Sequence, residues 1–186
     1  LCLMERGKVD EVPRVVGVDH AHGYALLTWI EGSEVGDLND TDIDEAVAFL
    51  AAIHQLRREP DGSSQPLAAE ACLAGAEIAR QINARVTLLR ALRGDVDLID
   101  FIDKLFVPEQ ADRVADARAS ASAAGIDFTT DLPQEWQTLV PADFGFHNSL
   151  RRADGSLAFV DFEYFGWDDP VKLTADILLH PGKPLS

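Results

Sequence analysis

The spacing of hydrophobic positions changes three times along this chain. Residues 14–18 form a β-branched run behind Pro13, and residues 24–30 are more apolar still. With turn residues 20–23 between them, they predict an antiparallel pair of strands. Glu31-Gly32-Ser33 breaks the second strand. From there the period lengthens. Ile43, Ala46, Val47, Leu50, Ile53, His54 and Leu56 recur at helical spacing, behind the N-cap candidates Asp40, Thr41 and Asp42. After a loop at residues 60–64, an Ala/Leu/Arg-rich run predicts one long helix over residues 67–92, with Gly75 as its weak point. Gly94 and Asp95 separate it from a helix near residues 96–106, where Leu98, Ile99, Ile102 and Leu105 share one face. Pro108 opens a more polar helix that runs to about residue 124 and closes at Gly125.

The last third returns to short strands. Residues 138–140 read as a strand and residues 141–147 as a loop containing Gly145. Residues 149–153 and 156–162 read as strands joined at Asp154-Gly155, a strong hairpin signal. Residues 166–170 read as an acidic turn before a helix over residues 171–179, and Pro181-Gly182-Lys183-Pro184 follows. There is no internal repeat. Strands, then a block of helices, then strands again predict an α+β fold.

Composition narrows the function. The 186 residues are 47% hydrophobic and 26% charged, with a net charge of −16. A surface this acidic repels phosphate backbones and anionic lipids, which argues against nucleic acid and membranes as partners. It suits a cationic partner, and equally a need for solubility or a salt-rich cytoplasm. Cys2 and Cys72 make neither a disulfide framework nor a metal-ligand spacing, so a reducing cytoplasm is expected. No stretch reaches the ~18 apolar residues of a membrane helix. The residues after Leu1 turn charged at once, without the basic lead or cleavage site of a signal peptide.

The hairpin yields an arithmetic for the chemistry. A two-residue turn at Asp154 and Gly155 pairs Ala153 with Ser156, and counting outward places Asn148 opposite Asp161. Asp143 lies five residues before Asn148 on the adjoining loop. Amide and carboxylate oxygens gathered in this way suit Mg²⁺, a hard cation that takes one or two protein ligands together with substrate phosphates. Asp and Asn also end strands for turn reasons alone, so both readings stand at this point.

Asp143-Phe144-Gly145-Phe146-His147-Asn148, followed by the hairpin and Phe159-Val160-Asp161-Phe162-Glu163, resembles the catalytic loop and metal-binding Asp of the protein-kinase-like fold. More narrowly, the chain resembles the aminoglycoside phosphotransferase and choline kinase-like family. Residues 166–170 with Leu173 and Asp176, the helix around His54, and the pair Val12-Pro13-Arg14-Val15 and Leu26-Leu27-Thr28-Trp29-Ile30-Glu31-Gly32 carry the likeness further. The resemblance implies an ATP-dependent, Mg²⁺-requiring transfer of phosphate to a hydroxyl of a small molecule. Asp143 would be the catalytic base, Asn148 and Asp161 the Mg²⁺ ligands, and the backbone of Thr28, Trp29 and Ile30 the adenine contact. His147 and Glu163 stand as accessory candidates. Each has an equally good structural reading, as a backbone-bonding loop residue and a salt-bridged surface residue. The acceptor would be an aminoglycoside, an amino alcohol, a sugar or a glycan precursor, with the acidity leaning towards a cationic one. Residues 1–32 would be a remnant of the small lobe and hinge, and residues 33–186 the helical lobe.

The chain departs from the family pattern in two ways. Pro141-Ala142 stands where the family usually has His-Gly. No Gly-rich phosphate loop and no strand Lys with a helix Glu partner precede Val12, and the chain stops soon after Asp176. It is therefore expected to be truncated at both ends and, as it stands, to bind ATP poorly. A non-catalytic, pseudokinase-like scaffold and a metal-dependent hydrolase are the alternatives. Among the remaining residues, His54 reads as a packed core residue and Asp168 and Asp169 as turn and cap residues. Asp176 reads as an anchor of the catalytic loop. Trp29, Trp136 and Trp167 read as packing residues, and Arg80, Arg85, Arg90 and Arg93 as a solvated helix face.

Overall fold

The computed structural model describes residues 1–92 and 94–180. Arg93 and the run of residues 181–184 lie outside the described residues. A short helix, α1 (Cys2–Arg6), buries Leu3 and Met4 and leads to the hairpin of β1 (Val15–Asp19) and β2 (Tyr24–Leu27). The strand β3 (Ser33–Glu34) occupies the stretch expected to be a break. Helix α2 (Asp40–Gln55) then starts from a capping box. The Asn39 side chain accepts from the N–H groups of Thr41 and Asp42, and the Asp42 carboxylate accepts from the Asn39 N–H. Then come α3 (Gly75–Ala91), α4 (Val96–Phe101), a π-helical turn at Ile102–Phe106 and α5 (Val107–Ala123). Next along the described residues are β4 (Thr138–Val140), β5 (Ser149–Arg151), β6 (Leu157–Phe159), β7 (Gly166–Asp168) and α6 (Pro170–Leu178). The mixture of helices with small antiparallel sheets is the α+β class.

Two expected elements are different. The helix predicted over residues 67–92 begins only at Gly75. The segment before it is captured by β7. Leu67 bridges to Trp167, the Ala68 N–H donates to the Trp167 carbonyl at 3.0 Å, and the Trp167 N–H donates to the Pro66 carbonyl at 2.9 Å. Backbone bonds to a distant strand override the helix propensity of an Ala-rich run. For the same reason the predicted acidic turn at residues 166–170 opens as a strand, with Gly166, Trp167 and Asp168 facing Val140, Leu139 and Thr138. A Cβ at Gly166 would fall 2.4 Å from the Ala68 nitrogen, so only glycine fits this approach. Trp167 is buried and its indole N–H donates to the Gly62 carbonyl. Trp29 and Trp136 are exposed and pack little, contrary to expectation.

The chain forms two compact units. One combines Leu1–Ala71 with the chain from Trp136 onwards, and the other is Cys72–Glu135. In the second unit the Phe128 ring fills the space over Gly75, and Arg118 lies 4.4 Å above that ring. The first unit holds the main core, where α2 contributes Ala46, Phe49 and Ile53 against Leu139, Leu157 and Phe159. β3, β5 and β6 form its three-stranded sheet, with β5 in the middle.

Two side chains of α2 clamp the β5–β6 hairpin. Asp42, almost fully buried, takes both guanidinium arms of Arg151 at 2.7 and 2.9 Å. The hydrogen bonds from Arg151 hold its carboxyl below the usual carboxylate range. Glu45 accepts from the Leu157 N–H at 2.7 Å.

His54 behaves as the core residue predicted from its helix face, with Nδ1 bonded to the Thr138 hydroxyl at 2.7 Å. Burial, with Arg57 and Arg58 adding to it, pushes its pKa below the imidazole value of 6.5. The unfolded chain therefore takes up a proton near pH 6.5 that the folded chain refuses, and stability falls as pH drops from there to the lower folded value. His54→Gln is expected to flatten this stretch of the stability curve, read as denaturation midpoints between pH 7.5 and 5 (roughly the imidazole range).

Candidate active site

The hairpin forms where Asp154-Gly155 placed it, but one residue out of the expected register. Ser149 faces Phe159, Leu150 faces Ala158 and Arg151 faces Leu157. The loop is longer than two residues. The Gly155 N–H donates to the Arg152 carbonyl, Gly155 takes a left-handed φ of +91°, and the Arg152 N–H closes on the Ser156 carbonyl at 2.9 Å. The Asp154 carboxylate accepts from both the N–H and the hydroxyl of Ser156. This is a three-residue loop with glycine at the bulge. Asn148 consequently faces Val160, whose N–H donates to the Asn148 carbonyl at 3.0 Å, and Asp161 comes one step later.

The loop between β4 and β5 presents Asp143. Its neighbours Phe144 and Phe146 are buried, and Phe144 packs against Phe49 at 5.6 Å and Phe159 at 5.2 Å between ring centroids. With aromatic anchors on one side, the Asp143 side chain stays half exposed on the other. The Asn148 amide nitrogen donates to the Asp143 carbonyl at 3.1 Å, and the Asn148 N–H donates to the Gly145 carbonyl at 3.0 Å. Asn148 thus ties the loop together with its nitrogen and keeps its amide oxygen for other use.

Backbone strain gathers here. Five non-glycine residues among those described have positive φ, and three of them are Ala142 (+52°), Asp143 (+39°) and Asp161 (+68°). Such conformations cost energy and concentrate at functional sites. The turn at Asp161 ends the strand alternation that would have aligned Glu163 with it. Glu163 instead acts on its neighbour Tyr164: its carboxylate, with the charges of Asp161 and Asp143 adding to it, raises the Tyr164 pKa. The sequence did not single out this tyrosine. Among the described residues no Lys or Arg pairs with any of these three carboxylates.

His147 lies beside Asp143, with Nε2 3.7 Å from Oδ1. His180, which follows α6, brings its Nε2 to 3.4 Å from the same oxygen. The two imidazoles stack at 4.1 Å. Nothing local in the sequence pointed to His180. Asp169 caps α6 through the Val171 N–H, as predicted. Asp168 is buried and paired with Lys172. Asp176 pairs with the same Lys172 at 2.6 Å, so its carboxylate serves helix α6 rather than the loop. Thr28 follows β2, and its N–H and hydroxyl both engage the backbone of Arg14. Trp29 is exposed and Ile30 half-buried.

The donor chemistry of Asn148 and Asp161 is all oxygen, and among the described residues the neighbouring carboxylates have no Lys or Arg partner. Such a set fits a hard dication such as Mg²⁺. The chain belongs to the phosphotransferase enzyme family, whose model matches residues 5–172. No curated protein matches it. No helix among the described residues is long and apolar enough to cross a membrane.

Proposed function

We propose that this protein is an ATP-dependent, Mg²⁺-requiring kinase of small molecules, with a hydroxyl group as acceptor. The observation that carries this reading is the pair of strained aspartates, Asp143 and Asp161, joined through Asn148 and the hairpin. The Asp143 carboxylate orients the acceptor hydroxyl and takes its proton. The acceptor oxygen forms its bond to the γ-phosphorus as the bond from that phosphorus to the β–γ bridging oxygen breaks, and ADP leaves. Asn148, through its amide oxygen, and Asp161 would hold Mg²⁺, which when bound neutralises phosphate charge. The Thr28 N–H is engaged by the Arg14 carbonyl, so the adenine contact uses the Thr28 carbonyl with the backbone of Trp29 and Ile30. Glu163 stands as an accessory carboxylate beside Tyr164.

In this reading residues 1–32 supply the end of a small lobe and the hinge, and residues 33–186 the larger lobe, in a cytoplasmic enzyme. The acceptor is an aminoglycoside, amino alcohol, sugar or glycan precursor. The net charge of −16 favours a cationic one. The test is transfer from γ-labelled ATP to a panel of these acceptors by the full reading frame that carries this chain. Label on an acceptor hydroxyl supports the reading. Release of free phosphate with no acceptor present would instead indicate a hydrolase.

A further inference from the structure

Asp143, His147 and His180 have a geometry that Mg²⁺ chemistry does not use. We propose that these three side chains form a binding site for a borderline transition-metal dication of the Zn²⁺ type. One donor atom from each lies within 4.8 Å of the others. Both imidazole Nε2 atoms approach one carboxylate oxygen, at 3.7 and 3.4 Å. These separations are longer than hydrogen bonds. They come close to the roughly 3.3 Å between donors around a tetrahedral ion with bonds of about 2.0–2.1 Å. An imidazole holds a metal in its own ring plane, so the stacked rings, 9° from parallel, turn apart about their Cβ–Cγ bonds when both Nε2 atoms take one ion.

The seat for the imidazoles is built by the loop itself. A Cβ on Gly145 would lie 2.8 Å from His147 Nδ1, 3.0 Å from its Cε1 and 3.7 Å from His180 Cγ. The Gly145 backbone is extended, at φ −178°, a conformation open to any residue. A side chain here would push the His147 ring from its present place, so glycine leaves the ring its room. His147 rides on the 3-10 turn at Phe146–Asn148 and His180 on the segment after α6. Two elements remote in sequence thus deliver stacked rings, 9° from parallel, to one carboxylate.

The donor set decides the ion. Two imidazoles and a carboxylate suit Zn²⁺, Co²⁺, Ni²⁺ or Cu²⁺, whereas Mg²⁺ prefers oxygen and keeps its water. The loop would thus serve two dications of different character, one through Asn148 and Asp161 and one through Asp143 and the histidines. A metal on Asp143 withdraws the carboxylate from the acceptor hydroxyl, so Zn²⁺ would switch transfer off. This consequence rests on the phosphotransferase reading of Asp143; the metal site does not.

The test titrates Co²⁺, then Zn²⁺, into the full protein in millimolar Mg²⁺. Expected are one Co²⁺ per chain with the visible absorption of a low-coordinate ion, and its displacement by Zn²⁺. His180→Ala and His147→Gln should each weaken Zn²⁺ at least about 100-fold, since loss of even outer partners costs about 10–100-fold. Zn²⁺ should raise the Tm of the wild type and not of either variant, while metal-free melts verify that both variants fold. No Co²⁺ band, or equal Zn²⁺ affinity in folded variants, overturns the proposal and leaves a plain carboxylate–imidazole contact. Zn²⁺ held by these residues without loss of transfer would keep the site and overturn Asp143 as the base. Loss of transfer in Asp143→Asn without Zn²⁺ binding in the wild type would do the reverse.

Discussion

Asp143→Asn is expected to lower phosphoryl transfer by about 10²–10⁴-fold while leaving the fold intact. General-base catalysis contributes a factor of that size, equivalent to about 3–5 kcal/mol of transition-state stabilisation. Asparagine is the informative substitution because Asp143 sits at φ +39°. Asparagine tolerates this left-handed conformation nearly as well as aspartate, and alanine does not. The bond that ties the loop runs from Asn148 to the backbone carbonyl of residue 143, so the substitution preserves it. Initial rates at saturating ATP and acceptor, beside a melting curve, check the result. A fall in kcat at unchanged Tm is the expected signature. A fall in Tm of many degrees would mean that the side chain holds the loop rather than the proton.

Arg151→Met has the largest expected effect on stability. It leaves the Asp42 carboxylate buried without its partner, at a cost of about 3–5 kcal/mol. For a chain of this length that corresponds to a Tm lower by roughly 10 °C. Adding Asp42→Asn removes the buried charge and keeps a side chain able to accept from its old neighbours. The double variant is therefore expected to recover most of the loss. The pH dependence has a definite sign. Arg151 holds the Asp42 pKa down, so the pair stabilises the fold above the ordinary carboxylate range and is lost as pH falls through the lower folded value. Denaturant midpoints of the wild type, both single variants and the double variant measure the coupling directly. The hairpin that returns Asp161 is clamped by this pair, so loss of stability and loss of ATP binding should travel together in Arg151→Met.

Several of these features were legible in the sequence for local reasons. The cap candidates Asp40, Thr41 and Asp42 placed the start of α2 because capping is a matter of a few adjacent residues, although the N-cap itself is Asn39, and the apolar period of that helix marks its buried face. Asp154-Gly155 announced the hairpin and with it the neighbourhood of Asn148 and Asp161. The dipeptide serves two- and three-residue loops alike, however. The bonds that selected the longer loop come from Arg152, Asp154 and Ser156 together. The rest was hidden because its cause lies far along the chain. Residues 67–69 carry helix-forming side chains, yet their backbone is claimed by Trp167 and Tyr164. Asp42 reads as a capping residue, and nothing near it announces Arg151. His147 was visible as a loop histidine beside Asn148, whereas its partner His180 reaches Asp143 only through the placement of α6.

The most direct measurement is calorimetric titration of ATP into the full reading frame, with and without Mg²⁺, beside Asp161→Ala. The expected result is ATP binding that needs the metal and weakens at least about tenfold in the folded variant. Tenfold corresponds to about 1.4 kcal/mol, a modest value for a ligand that holds a dication on phosphate. Binding that ignores both Mg²⁺ and Asp161, or no binding by a folded wild type, would contradict the assignment of this loop and hairpin as a phosphoryl-transfer site.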